Sequence, residues 1–351
     1  MKRTFSITLA VLAAVCLFRA SQFLNTAHAQ QQGRTSGPAV HGINTRGADA
    51  TDADDNAASA PDSSFSAEDP ETNPHPGRAG SGRALTTGGT GVVTPKITYH
   101  GGPLIQTPVI YIIWYGNWNQ SNGSDTPAGQ QIVRDWGHSI GGSPYFAINT
   151  SYNAGGYTVS GGVNWGGEYT DTGSQGTTLS DAKVFTVVKN AINGGHLPYD
   201  ANGVYFVFTS SNISESSGFC TQYCGWHTAG NNTSGARIRY SFVGNANRCL
   251  SACAAQTTSP NSNAGVDGAI SVITHELEEA TTDPDLNAWY DSQGAEDADK
   301  CAWTFGHHQF QVSNGSWANV TLGSRNYLIQ RELQHITSGD LCKMSLASGD
   351  N

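Results

Sequence analysis

The sequence predicts an α/β or α+β domain in which a mixed β-sheet is flanked by helices. Runs of β-branched and aromatic residues, typical of buried strands, recur along the chain, as in Val109-Ile-Tyr-Ile-Ile-Trp-Tyr115. These runs alternate with segments of helical apolar spacing, and such alternation is typical of a sheet covered by helices. Only 13% of the residues are charged and 42 are glycine, which excludes a coiled coil or a charged helical bundle.

Each further element is predicted from its own pattern. Strands are predicted at residues 157–165, 204–208 and 238–243, and helices at 130–139, 180–192 and 267–281. Ser180 directly precedes the second of these helices and is its expected N-cap. The buried stripe of that helix is predicted to consist of Val184, Val187, Val188 and Ile192.

The first residues have the three parts of a secretory signal peptide. Lys2 and Arg3 precede an apolar run, and a small-x-small cleavage site ends at Ala29. A membrane anchor is the alternative, but the run is too short to span a bilayer. After residue 30, no stretch reaches the roughly 18–20 apolar residues that a span needs. We therefore predict a signal peptide at 1–29 and a secreted protein, extracellular or periplasmic, without a membrane span.

The segment that follows is predicted to be disordered. Residues 30–94 are dominated by Gln, Gly, Ser, Thr, Ala, Asp and Pro, so they cannot bury enough apolar surface to offset the entropy of ordering. The folded domain is predicted at 95–345. The formal net charge of the whole chain is −10, which disfavours nucleic acid as a partner.

Six cysteines remain once the predicted signal peptide and its Cys16 are removed. An even number in an exported chain predicts three disulfides, because the destination is oxidising. A four-cysteine zinc site is the alternative, and the sequence leaves the pairing open. The six are Cys220, Cys224, Cys249, Cys253, Cys301 and Cys342.

The strongest chemical signal is His275-Glu276-Leu277-Glu278-Glu279, at the end of the third predicted helix. His275 and Glu279 are four residues apart and share one helix face. The spacing is that of the H-E-x-x-H motif of zinc metalloproteases, with Glu279 at the position of the second His. In that motif two residues hold the metal and the intervening Glu is the general base. We therefore predict a zincin-like metal site with His275 and Glu279 as ligands and Glu276 as the candidate base.

A downstream acidic segment is expected to complete the site. Glu296 and Asp299 are three residues apart, so one helical turn can present both. Glu296 is the predicted third ligand, and Asp299 is the predicted partner that orients His275. Zinc is the expected metal, although a second anionic ligand weakens its polarisation of bound water, and oxygen-rich sites also suit other divalent cations. The alternative is an acidic surface helix that binds nothing.

Several segments resemble the EXORDIUM-like, phosphate-induced protein family, in the family's order along the chain. They include His100-Gly-Gly-Pro-Leu104, Phe219-Cys-x-x-x-Cys-Gly-Trp-His227, the segment at 265–273 that precedes the His-Glu motif, and Glu296-x-x-Asp299-x-Cys301. The resemblance spans roughly residues 97–342. It implies the family's fold and a secreted protein, since known plant members lie in the cell-wall space.

Other signals have less specific interpretations. Gly137-His-Ser-Ile-Gly141 matches the nucleophile elbow of serine hydrolases, but a helical pattern precedes it, so Ser139 is interpreted as a helix end. His227 is either a structural histidine or a fourth metal ligand. The pair His307-His308 is interpreted as part of a surface loop. The eight Trp residues suggest either sugar stacking or core packing.

Two functions from different classes follow. The first is a metal-dependent hydrolase, peptidase-like, with Glu276 as the base and a peptide or cell-wall component as its substrate. The second is a non-catalytic extracellular binding or signalling protein with a structural metal or none.

Overall fold

The main sheet has five strands, seen in a computed structural model that describes residues 85–347. The predicted signal peptide and the predicted disordered segment up to residue 84 lie outside the described residues. The strands, in chain order, are β1 (Val109–Tyr115), β2 (Asn164–Asp171), β3 (Gly203–Thr209), β4 (Gly225–Asn231) and β5 (Arg237–Gly244).

The sheet is mixed, as predicted. Its order is β2-β1-β3-β5-β4, in which the first four strands run parallel and β4 pairs antiparallel with β5 at the edge. The central strands β1 and β3 are apolar almost throughout because both of their faces are covered. Along β4, side chains alternate between the two faces, so His227 and Trp226 point to opposite sides of the sheet.

Helices cover both faces. They are α1 (Pro127–Gly137), α2 (Asp181–Asn193), α3 (Leu250–Cys253) and α4 (Ala264–Thr282), with 3₁₀ turns at Phe146–Ser151, Ala246–Arg248 and Asp299–Cys301. On one face, Phe185 of α2 stacks on Tyr240. On the other, α4 packs against β4 and β5 and is buried along most of its length. Across residues 85–347, no helix combines the length and apolar character that a bilayer span requires.

Elsewhere in the described chain, short strands pair into two-stranded ladders. The ladders pair Thr98–Tyr99 with Trp289–Tyr290, Asn153–Ala154 with Tyr157–Thr158, Thr178–Leu179 with Ser214–Glu215, Phe310–Gln311 with Trp317–Ala318, Val320–Leu322 with Arg325–Tyr327, and Glu332–Gln334 with Leu341–Lys343.

The predicted elements at 204–208, 238–243 and 267–281 are confirmed with small extensions. The strand predicted at 157–165 is wrong in its bounds. Residues Tyr157–Thr158 belong to a separate hairpin, and β2 begins only at Asn164, because the chain turns at Gly161, whose φ is +77°. Strand β4 was missed, since the sequence Gly-Trp-His-Thr-Ala-Gly-Asn has little of the β-branched character that marks a strand.

The predicted helix at 180–192 is confirmed, but two of its details differ. Ser180 occupies the N-cap position, yet its side chain makes no capping hydrogen bond; its carbonyl accepts the N–H groups of Lys183 and Val184 instead. Ala191, rather than Ile192, completes the fully buried stripe, because Ile192 lies at the edge of the buried face.

The six cysteines form three disulfides, as predicted. Cys220 pairs with Cys249 and Cys224 with Cys253, so two bonds one helical turn apart join the loop before β4 to α3. Cys301 pairs with Cys342 and joins the acidic segment to the last ladder. These bonds fix both segments that flank α4 in space.

The residues just before Pro95 pack against the domain, whereas their composition placed them in the disordered segment. Leu85 is 7% exposed and packs with Phe305 and Leu328. The buried Arg331 side chain donates a 2.7 Å hydrogen bond to the Gly89 carbonyl. Val93 pairs with Asp340 through a backbone bridge. Composition does not predict this packing. The packing depends on isolated apolar side chains and on a backbone carbonyl that accepts a hydrogen bond from Arg331.

We predict that a chain starting at Pro95 is less stable than one starting at Leu85. Deleting the segment exposes the surface that Leu85 and Val93 cover and removes the Gly89 carbonyl, one of the acceptors of the buried Arg331 side chain. Full burial of one aliphatic side chain contributes about 1.5–3 kcal/mol, so the free energy of unfolding should fall by about 3 kcal/mol or more. Denaturant midpoints measure the difference, and equal midpoints would show that the segment is dispensable.

Candidate metal centre

Helix α4 brings a histidine and several carboxylates to one buried face. Its N-cap, Asn263, accepts the N–H of Val266, and the helix then continues as a core helix up to Thr282. Positions 275, 278, 279 and 282 recur at helical spacing and share this face. His275 is 2% exposed, and Glu276 and Glu279 are fully buried. Burying such charges is costly unless cations or protons compensate them.

A second histidine approaches the same face from the sheet. His227 lies on β4, is fully buried, and points toward α4. Gly225 permits this approach, because a Cβ at that position would lie 2.5 Å from Val272 Cγ1 of α4. The absence of a side chain there lets β4 lie directly against the helix, and His227 reaches the helix carboxylates as a result.

The acidic segment at 291–301 closes the third side. Asp291 shapes its turn by accepting the N–H groups of Gln293 and Ala295. The Thr282 hydroxyl donates a 2.7 Å hydrogen bond to Asp297. The segment ends at Cys301, which the disulfide to Cys342 holds in place. These restraints present Glu296 and Asp299 to the two histidines.

Glu279 lies at the middle of the arrangement. Its Oε1 is 2.9 Å from His275 Nε2, and its Oε2 is 3.3 Å from His227 Nδ1. Asp299 Oδ1 is 3.4 Å from His275 Nε2, whereas Glu296 Oε1 is 3.6 Å from His227 Nε2. The structure thus forms two groups that share Glu279, and within each group one ligand atom per residue lies within 4.8 Å of the others. The groups are His227–Glu279–Glu296 and His275–Glu279–Asp299.

The contacts in these groups fit shared cations. His227 Nδ1, His275 Nε2 and Glu279 Oε2 are buried and make no hydrogen bond, although each has an oppositely charged group nearby. A buried polar atom without a hydrogen bond costs about 1–3 kcal/mol. Two ligands that each bind an ion at about 2.1 Å lie roughly 3.0–3.5 Å apart. The two separations from His275 Nε2, 2.9 Å to Glu279 and 3.4 Å to Asp299, fall in or near this range, so the residues fit a metal centre.

The arrangement differs from the predicted one in which residues meet. His275, Glu279 and Asp299 lie together, and Asp299 is next to His275, where an orienting or a binding role is possible. Glu296, the predicted partner of His275 in one ligand set, lies beside His227 instead. His227 is central, although a lone histidine in the sequence gave no specific signal. Glu276 Oε2 is 3.6 Å from His227 Nδ1 and faces the interior.

The other sequence signals lie apart from this centre. Ser139 follows the end of α1, and its N–H bonds to the Trp136 carbonyl, in agreement with a helix end. His307 and His308 are in an exposed loop. The largest fully buried side chains include Trp114, Trp136 and Trp226, so these three tryptophans fill the core and do not present a sugar-binding surface.

A neighbouring group of acids was not anticipated. Glu278, Asp297 and Glu332 are all fully buried, and the Tyr145 hydroxyl donates a 3.1 Å hydrogen bond to Glu278. Both carboxylate oxygens of Glu332 lack a hydrogen-bond donor. Burial and the neighbouring carboxylates raise the pKa of Glu332 well above its usual range. No motif surrounds Glu332 in the sequence, so only the fold reveals its position.

Burial and neighbouring charges shift the pKa values of the groups at this centre in both directions. Burial raises the pKa of Glu276 and of Asp297 to about 7, and that of Asp299 to about 6. Burial alone would lower the pKa of His227, but the adjacent Glu276 and Glu279 carboxylates outweigh it and raise the value to about 10. Burial alone would raise the pKa of Glu279, whereas the two imidazoles outweigh it and hold that pKa well below its usual range.

We predict that the metal-free and the metal-loaded protein respond to pH in opposite directions. With raised pKa values, the folded metal-free chain binds more protons than the unfolded chain, so its stability falls as the pH rises from about 5 to about 9. A cation replaces those protons, and its binding strengthens as the pH rises. The free energy of unfolding should differ in slope between chelated and metal-loaded samples. Parallel slopes would contradict the prediction.

Comparison with known proteins identifies the family to which the sequence is similar. Residues 97–330 match the family model described as the phosphate-induced protein 1 conserved region. The chain is 30% identical over 283 residues to Protein EXORDIUM-like 3 of Arabidopsis thaliana, covering 69% of this chain and 82% of that protein. It is 31% identical over 223 residues to Protein EXORDIUM-like 5 of the same plant, covering 55% of this chain and 59% of that protein. No solved structure matches the chain at a significant level.

The matched region runs from the residue before the first ladder to the segment just short of Arg331. It therefore contains the whole five-stranded sheet, α4 and the acidic segment, and with them the two histidines and Glu279. The earlier resemblance is confirmed over nearly the whole described chain, and the chain belongs to the phosphate-induced protein 1, or EXORDIUM-like, family.

Proposed function

We propose that this chain is an extracellular protein whose fold is stabilised by a buried, structural metal centre built around Glu279. The observation that carries the proposal is that His227 Nδ1, His275 Nε2 and Glu279 Oε2 are buried, make no hydrogen bond and belong to two groups of ligand atoms that lie close together. A divalent cation satisfies such atoms directly, and its binding free energy then adds to the stability of the folded state.

The enclosure of the site favours a structural role over a catalytic one. Catalytic zinc sites keep an open position for water or substrate, whereas structural sites are closed. His227, Glu279 and Glu296 are fully buried, and the covering elements leave no exposed face on any of them. Glu276, the predicted base of a peptidase-like hydrolase, is equally buried and faces His227. Among the two predicted functions, the geometry therefore supports the non-catalytic extracellular protein better.

The donor set narrows the choice of cation. Each group offers one imidazole and two carboxylates. This combination suits Zn²⁺ or Mn²⁺ better than Mg²⁺, which prefers oxygen ligands alone. We retain zinc as the proposed metal. We propose a likeness to zincins in one respect: a His-Glu motif lies on a helix that packs over a mixed sheet. This likeness does not imply peptidase activity.

The proposed extracellular location rests on two observations. Three disulfides join segments that are far apart in sequence, and such bonds persist in oxidising compartments. The chain also begins with the pattern of a secretory signal peptide. The binding partner of the folded domain would then be an extracellular one, such as a peptide or a cell-wall component.

We predict that Glu279→Gln abolishes metal binding while Glu276→Gln retains it. Glu279 contacts both histidines, whereas Glu276 contacts one. Loss of a cation present at about a thousandfold its Kd costs about 4 kcal/mol, which corresponds to a Tm lowered by roughly 8–16 °C in a domain of this size. Elemental analysis by mass spectrometry and thermal unfolding measure the two effects.

Asp267→Asn is the matched control. Asp267 is a buried carboxylate in the first turn of α4, hydrogen-bonded to Asn261 and remote from the histidines. Its removal should leave the metal content unchanged. A purified wild-type protein that holds no metal, with a Tm that chelators do not shift, would overturn the proposal.

The hydrolase alternative has its own measurement. If Glu276 were a general base, Glu276→Gln would keep the metal and lose about 10²–10⁴ in the rate of peptide hydrolysis. The structural proposal expects no chelator-sensitive hydrolysis in wild type against a mixed peptide library. Chelator-sensitive cleavage that Glu276→Gln eliminates would establish the hydrolase in its place.

A further inference from the structure

We infer that the centre holds two divalent cations, bridged by the carboxylate of Glu279. This inference rests on the proposed metal centre and specifies how many ions it holds. The inference starts from two neighbouring groups of three potential ligands, which have Glu279 in common.

The two oxygens of Glu279 serve different partners. Oε1 approaches His275 Nε2 at 2.9 Å, and Oε2 approaches His227 Nδ1 at 3.3 Å. The two imidazoles belong to different elements, one on α4 and the other on β4. A carboxylate whose oxygens face two separate ligands is placed to bind one cation through each oxygen.

Each side of Glu279 has its own further carboxylate. Asp299 Oδ1 lies 3.4 Å from His275 Nε2, the nitrogen that also faces Glu279. Glu296 lies beside the other nitrogen of His227, and one ligand atom each of His227, Glu279 and Glu296 lie within 4.8 Å of one another. Each cation would therefore have one imidazole, one oxygen of Glu279 and one further carboxylate, and Glu279 is the residue that the two sets share. The two carboxylates come from the same short acidic segment, which reaches both sides because they are three residues apart.

Backbone groups orient Glu279 and His227. The Asp299 N–H donates a 3.2 Å hydrogen bond to Glu279 Oε1. His227 Nε2 lies 3.4 Å from the Asp283 carbonyl, so a proton on Nε2 leaves Nδ1 as the lone-pair atom toward Glu279. Fixed ligands of this kind, held by groups behind them, are typical of metal sites.

The charges also favour two cations. Glu276, Glu279, Glu296 and Asp299 surround the two histidines, and all four carboxylates are buried. Ionised, they carry four negative charges. Two divalent cations balance those charges with neutral imidazoles, whereas one cation leaves the remaining charge to be balanced by protons.

The experiment is a titration of the chelator-treated, disulfide-intact mature protein with Mn²⁺, and separately with Zn²⁺. We expect saturation at two equivalents per chain. With Mn²⁺ at two equivalents, electron paramagnetic resonance should show an exchange-coupled pair and not the spectrum of isolated ions. Saturation at one equivalent would overturn the pair while leaving the proposed function intact. No binding at all would overturn both.

Variants separate the two positions. His275→Gln and His227→Gln should each retain one equivalent and lose the exchange-coupled spectrum. His335→Gln is the control, because His335 pairs with Asp340 at 2.8 Å away from the centre and should leave two equivalents. If either histidine variant retained two coupled ions, or if one of them removed all binding while the other removed none, the bridged pair would be wrong. Circular dichroism confirms that each variant is folded before its ions are counted.

Discussion

The desolvation of the carboxylates around Glu279 is the constraint on which the rest of the structure depends. A carboxylate moved into a dry interior loses hydration worth several kcal/mol, and this loss must be offset by a nearby positive group or a proton. In this domain the imidazoles of His227 and His275 are the groups that approach Glu279. The strand, the helix and the acidic segment must therefore meet at one point, and each must arrive with little freedom.

The sequence distance between those three parts explains why the covalent bonds lie where they do. Two disulfides fix the loop before β4 to the segment that leads into α4, and the third fixes the end of the acidic segment. Gly225 then sets the separation between β4 and α4. The disulfides thus hold the loops around the centre, and close packing holds β4 against α4. Neither restraint alone would align His227 with Glu279.

Much of this could be predicted from the sequence, and the limits have physical causes. Continuous apolar runs predict β1 and β3 because strands covered on both faces need no polar residues. The helix that carries His275 and Glu279 is equally clear, since Asp283-Pro284 ends it. The partner on β4 was not predictable, because an edge strand next to a helix needs glycine more than it needs β-branched residues. The allocation of Glu296 to His227 depends on the path of a turn, which spacing alone does not determine.

The disulfides also determine how the domain responds to a pulling force. Cys220–Cys249 and Cys224–Cys253 close rings that enclose the β4–β5 hairpin, and Cys301–Cys342 closes a third ring. Within each ring the chain cannot extend under tension, which removes roughly 100 Å of length for the first pair and 140 Å for the last. Helix α4 lies between the rings and transmits the load. Tension applied along the chain therefore reaches Glu279 on α4, while the strand that carries His227 is protected from it.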